Sequence, residues 1–112
     1  MKNLLKLQNF FKVGEMIVHI VMFKFKEENR VLNIAKVKSK LEKLERSIDE
    51  LKSMEVGVNF NESDRAFDLS LYSTFETETD LKTYAVHEEH LKVVELIKSV
   101  TTESKVVDYL LE

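Results

Sequence analysis

Apolar residues recur along this chain with two periods, and each switch between them marks a predicted element. From Ile17 to Lys26 the period is two. One side carries Ile17, His19, Val21, Phe23 and Phe25, and the other carries Val18, Ile20 and Met22 before Lys24 and Lys26. Period two separates these two faces, as in a strand. Both sides are apolar over most of its length, so the strand is expected to be covered on both faces. The period then changes. Ile34, Val37, Leu41, Leu44, Ile48 and Leu51 fall at spacings of three and four, which predicts a helix from about Glu28 to Leu51 with one narrow apolar stripe. The lysines and glutamates on the rest of it read as a solvated face.

Period two returns at Met54–Phe60, with Met54, Val56, Val58 and Phe60 aligned, and at Phe67–Phe75, with Phe67, Leu69, Leu71 and Phe75 aligned. Turn-forming residues, Asn59 to Asp64, separate the two, so an antiparallel hairpin with a longer loop is expected. Thr77-Glu-Thr-Asp80 resembles a helix-capping box. The helical region it opens carries Leu81, Tyr84 and Ala85 and continues with Leu91, Val94 and Ile97. A last strand is predicted over Ser104–Leu111, with Val106 and Leu110 on one face and Val107, Tyr109 and Leu111 on the other. The order β-α-β-β-α-β is the ferredoxin-like arrangement, an α+β fold on a four-stranded antiparallel sheet. Two helices cover one face of such a sheet. The other face needs a second sheet, most simply that of another copy of the chain.

Composition narrows the classes of function. With 112 residues, 44% of them hydrophobic, the chain makes one domain. A net charge of −3 supplies no basic face for nucleic acid, and no apolar run approaches the roughly 20 residues that span a bilayer. There is no cysteine, which fits a reducing cytoplasm and leaves no thiolate chemistry. Residues 1–15 read differently from the remainder. Leu4, Leu5, Leu7, Phe10 and Phe11 are interrupted by Lys6, Gln8, Asn9 and Lys12, which is no secretory core. An amphipathic extra helix and a disordered extension are two readings. The one adopted here is that translation starts at Met16, because Lys12-Val-Gly-Glu15 is encodable by purine-rich, ribosome-binding-like sequence. The domain is therefore expected to be 16–112, with 1–15 an extension.

The candidate chemistry sits in Tyr84-Ala-Val-His87-Glu-Glu-His90. A phenol and two imidazoles at spacings of three are placed to share one helical wall, and these are the side chains that hold or relay protons near neutral pH. A histidine accepts a proton from carbon; a tyrosine hydroxyl positions that imidazole or donates to a developing enolate oxygen. The plainer alternative is that Tyr84 packs while His87 and His90 bond backbone at a helix break. Two imidazoles without a third ligand are a poor zinc signal, and no metal is expected. His19, on a mostly apolar strand face, reads first as a hydrogen-bonded core histidine. Asp68 and Asp108 lie in strands and take no catalytic role in this reading.

Several stretches together resemble the stress-responsive α/β-barrel (Dabb) domain family, within the dimeric α/β-barrel superfamily. They are His19-Ile-Val-Met-Phe-Lys-Phe-Lys26, Val56-Gly-Val-Asn59 with Ser63, Ala66 to Phe75, Tyr84-x-x-His87-x-x-His90 and Val107-Asp-Tyr109. The family pattern usually reads His-Pro-x-His, and Glu88 stands here in place of the proline. The resemblance implies a homodimer in which two sheets pack face to face as a barrel. It also implies that most members have no established reaction, while a few plant members resemble polyketide cyclases that perform an aldol condensation without cofactor. By position, Tyr84 and His90 are the implied catalytic pair, with His19 lining the same cavity. His19, Phe23 and His87 are the implied ligand-binding residues, and the ligand is a small apolar molecule. No signature of the haem-degrading or quinol-type monooxygenases is present.

Overall fold

The computed structural model describes residues 16–112, so the expectations for residues 1–15 lie outside the described residues. The elements are β1 (Met16–Phe25), α1 (Arg30–Ser47), β2 (Ser53–Val58), β3 (Leu69–Phe75), α2 (Glu78–Ala85), α3 (Glu88–Val100) and β4 (Thr101–Leu111). The strands form one antiparallel sheet in the order β2-β3-β1-β4. This is the expected ferredoxin-like order, with the second helical region divided in two.

The α1 stripe meets one face of the sheet. Val37, Leu41, Leu44, Ile48 and Leu51 are buried together with Ile17, Phe23, Phe25, Met54, Val56, Leu69, Leu71 and Phe75. Each such side chain contributes roughly 1.5–3 kcal/mol of hydrophobic stabilisation. The helix is shorter at both ends than the predicted Glu28–Leu51. Lys26 to Asn29 form a turn, and Asn29 takes φ 54°, a left-handed conformation that asparagine tolerates better than most residues. At the other end Ile48 is extended, and Ile48 and Leu51 are buried from a turn rather than from the helix. Apolar spacing records burial and not hydrogen bonding, so it overran the helix here.

The predicted strand end at Phe60 is corrected: β2 stops at Val58, and Phe60 is 96% exposed. Asn59 and Asn61 explain this. Their side-chain oxygens accept the backbone N–H groups of Asn61 and Ser63, at 3.0 and 2.7 Å, and so close turns where the strand would have run on. Asp68 lies one residue before β3. Its carboxylate accepts the N–H of Phe25 at 2.7 Å, where a bulge at Lys24/Phe25 shifts the register of β1 against β4.

Two surfaces of the sheet carry exposed apolar side chains, although Val18 and Thr74 on the face away from the helices are buried. On the face away from the helices, Met22, Tyr72, Val107, Tyr109 and Leu111 are exposed apolar side chains. On the helix side, α1 lies along β2 and α3 packs on α1, yet every residue of β4 from Thr102 onward is exposed. No helix among the described residues is long and apolar enough to cross a membrane.

Candidate functional site

A break between α2 and α3 builds the site. Thr77 caps α2 through its hydroxyl, which accepts the Asp80 N–H at 3.0 Å, as the capping-box pattern predicts. The helix ends at Ala85. Val86 leaves the helical geometry, and His87 turns fully extended, at φ −64° and ψ 138°. His87 then caps α3: its Nδ1 accepts the Glu89 N–H at 3.1 Å. His87 is thus a structural element at the break, one of the two roles its spacing allowed. A proline at position 88 would demand the same extended His87, and Glu88 places a carboxylate at the positive end of α3.

The break brings Tyr84 and His90 together. Six positions along an unbroken helix are about 240° apart around the axis. Across the break the two rings lie 4.3 Å apart, centre to centre, tilted by 39°. The wall is real, but a helix interruption makes it, not helical periodicity. Tyr84 also packs on Phe75 at 5.0 Å and beside His19 at 6.5 Å. His19 meets Phe75 edge-on at 6.4 Å.

Polar partners set the proton positions. His90 Nδ1 lies 3.0 Å from the carbonyl oxygen of Ala85. A carbonyl only accepts, so neutral His90 carries its proton on Nδ1 and a lone pair on Nε2. Burial pulls the His90 pKa below its ordinary value. The Ala85 hydrogen bond opposes the shift, and the nearby His19 and His87 add to it. His90 is therefore a neutral acceptor at neutral pH. Tyr84 is buried, and its hydroxyl has no hydrogen-bond partner among the described residues. Burial pushes its pKa well above the usual tyrosine value, so it remains an O–H donor. The Ala85 carbonyl, not the Tyr84 hydroxyl, orients the His90 ring.

His19 lies directly across from Asp108 in the β1–β4 register, with Nδ1 2.5 Å from the carboxylate. Asp108 has no role of its own in the sequence reading, although it lies in the Val107-Asp-Tyr109 stretch of the resemblance; the β1–β4 register supplies its partner. The expectation of a core histidine describes His19 in part: it is half-buried and hydrogen-bonded, beside the uncovered stretch of β1 and β4 that carries Val21, Val106 and Leu110. Phe23 is placed apart from this cluster, in the core opposite Leu69. A separate groove of about 370 Å³ lies around the β2–β3 loop, lined by Met22, Val58, Arg65 and Phe67 among others, and contains none of the site residues.

The model of the stress-responsive A/B barrel domain matches residues 17–111, and the chain belongs to this family. A dimeric protein of unknown function and ferredoxin-like fold from Bacteroides fragilis NCTC 9343 is 31% identical, with a TM-score of 0.77 over 84% of this chain and 94% of that one. A hydroxynitrile lyase from Passiflora edulis superposes with a TM-score of 0.79 at 20% identity, over 88% and 95% of the two chains. A Dabb family protein from Mesorhizobium loti MAFF303099 gives 0.72 at 18% identity, over 85% and 95%. At these last two identities the likeness carries the fold alone. No curated protein matches the chain.

Proposed function

We propose that this stress-responsive A/B barrel domain acts as a homodimer and binds a small, largely apolar molecule bearing an oxygen, at the Tyr84–His90 pair. One observation carries the reading. A buried phenol that remains a donor lacks a partner among the described residues and packs on an imidazole whose Nε2 carries a lone pair with no hydrogen bond among the described residues. Buried donors are nearly always satisfied, and one left open beside an acceptor is suited to a ligand oxygen. The exposed apolar row on the far face of the sheet supports the homodimer, as does the dimeric state of the Bacteroides fragilis relative. A cytoplasmic location belongs to the same reading, since a cysteine-free chain suits a reducing compartment.

The same pair, a neutral imidazole acceptor in contact with a phenol donor, supports an enzymatic reading. His90 Nε2 would remove a proton from the substrate, and the Tyr84 hydroxyl would donate to the oxygen on which charge develops. This is cofactor-independent lyase or cyclase chemistry of the aldol type. Native mass spectrometry of the purified protein tests the binding reading. A co-purified small molecule that is lost in His90→Ala and in Tyr84→Phe is expected; a ligand retained by both variants rules this site out.

A further inference from the structure

We infer that Asp108 is a positioning residue for this site. It holds His19 with its proton on Nδ1, so that His19 Nε2 joins His90 Nε2 as a second acceptor beside the Tyr84 donor. The inference rests on the reading of Tyr84 and His90 as a ligand site. It starts from the register: His19 and Asp108 are directly opposed on β1 and β4, and their side chains meet at 2.5 Å. The carboxylate only accepts, so the imidazole proton facing it sits on Nδ1 and the lone pair of the neutral ring is on Nε2. The His19 side chain is 16% exposed and that of Asp108 46%, so the contact has the carboxylate toward water and the ring toward the protein. That ring lies against Phe75 and Tyr84.

The donor set then specifies a ligand class. Two imidazoles present lone pairs and one phenol presents a proton. Val21, Val106 and Leu110 flank His19 and Asp108 on the same side of the sheet. The complement is an uncharged molecule with a hydroxyl to donate, an oxygen to accept and an apolar body, such as a hydroxyarene or a hydroxyketone. A carboxylate ligand would meet two lone pairs and the Asp108 charge, and is disfavoured. An aspartate behind a histidine fixes tautomer and orientation in this way wherever a ring nitrogen must stay an acceptor.

Two measurements test this. The first is a long-range ¹H–¹⁵N correlation spectrum of the wild-type protein at pH 7.5, which reads the tautomer without any variant. His19 is expected to show Nδ1–H, and Asp108→Asn is expected to lose that preference. An Nε2–H signal for wild-type His19, or an unchanged tautomer in Asp108→Asn, overturns the positioning role. The second is fluorescence titration with 2-naphthol and with 2-naphthoate. The naphthol is expected to bind at least tenfold more tightly than the naphthoate, and Asp108→Asn to weaken it about tenfold, the scale of one hydrogen bond. No binding of 2-naphthol to the wild-type protein, or tighter binding of 2-naphthoate, overturns the ligand class. If 2-naphthol affinity falls in Asp108→Asn but is unchanged in Tyr84→Phe and His90→Ala, it is the Tyr84–His90 reading that fails.

Discussion

A Tyr84→Phe substitution leaves the ring among Phe75, His19 and His90 and removes only a buried hydroxyl that has no partner among the described residues. Such a hydroxyl costs about 1–3 kcal/mol of desolvation with no hydrogen bond in return. The variant is therefore expected to match or exceed the wild type in stability, by up to about 1 kcal/mol in urea melts, while losing ligand binding. A destabilised Tyr84→Phe would mean that the hydroxyl serves the fold. His90 gives a second expectation at this scale. Its folded pKa lies below 6.5, the value of the unfolded chain, mainly through burial. As pH falls through 6.5 the unfolded chain takes up the proton first, so stability declines and the loss is complete below the folded pKa. The urea midpoint should drop between pH 7.5 and pH 5, and His90→Gln should make that drop shallower. An identical pH profile in the variant would remove His90 as its source. Of these residues, Tyr84 and His90 stood out in the sequence because both are proton-handling groups in one short stretch. Asp108 was marked only as part of Val107-Asp-Tyr109, and because its partner is 89 positions away nothing local showed what it meets.

The interruption between α2 and α3 determines where those side chains point, and it makes a prediction of its own. His87 already has the extended backbone that a following proline requires, and position 88 is the first of α3, where a backbone N–H has no helical partner. Glu88→Pro is therefore expected to fold and to gain about 0.4–1 kcal/mol by restricting the unfolded chain, seen as a raised melting temperature with the tautomer of His90 unchanged. A loss of stability would show that Glu88 makes a contact that proline cannot replace. The first helix was legible from its stripe and α2 from its Thr77 cap. The break was legible only as a histidine spacing, because glutamate at position 88 gives none of the warning that proline gives. Phe60 misled for a related reason: its parity fits a strand, while the turns that end the strand are made by the flanking asparagines.

For the whole molecule the decisive feature is the sheet face turned away from the helices. Tyr72 and Val107 lie on either side of Ile20, and Tyr109 lies beside the buried Val18, so Tyr72, Val107 and Tyr109 form an exposed apolar row on this face. Both apolar faces of β1 were legible in its alternation, and so was the need for a second layer. How little of β4 the helices cover was not, since that depends on where α3 docks. Val107 is 58% exposed, so Val107→Glu should be tolerated by a folded subunit yet place a charge in the proposed interface. Light scattering after size exclusion is expected to show a dimer for the wild type and half that mass for Val107→Glu; a wild-type monomer at micromolar concentration would contradict the homodimer. The pairing of β1 with β4 has a kinetic consequence as well. It joins the first and last described strands of the chain, and closing so long a loop is an entropic cost that comes before any contact repays it. The hairpin of β2 and β3 and the helices α2 and α3 are local and form without it. His19 and Asp108 come into register only when this closure is made, so the ability to hold a ligand is expected to arrive with the last step of folding and to be the first thing lost when the edge strand peels away.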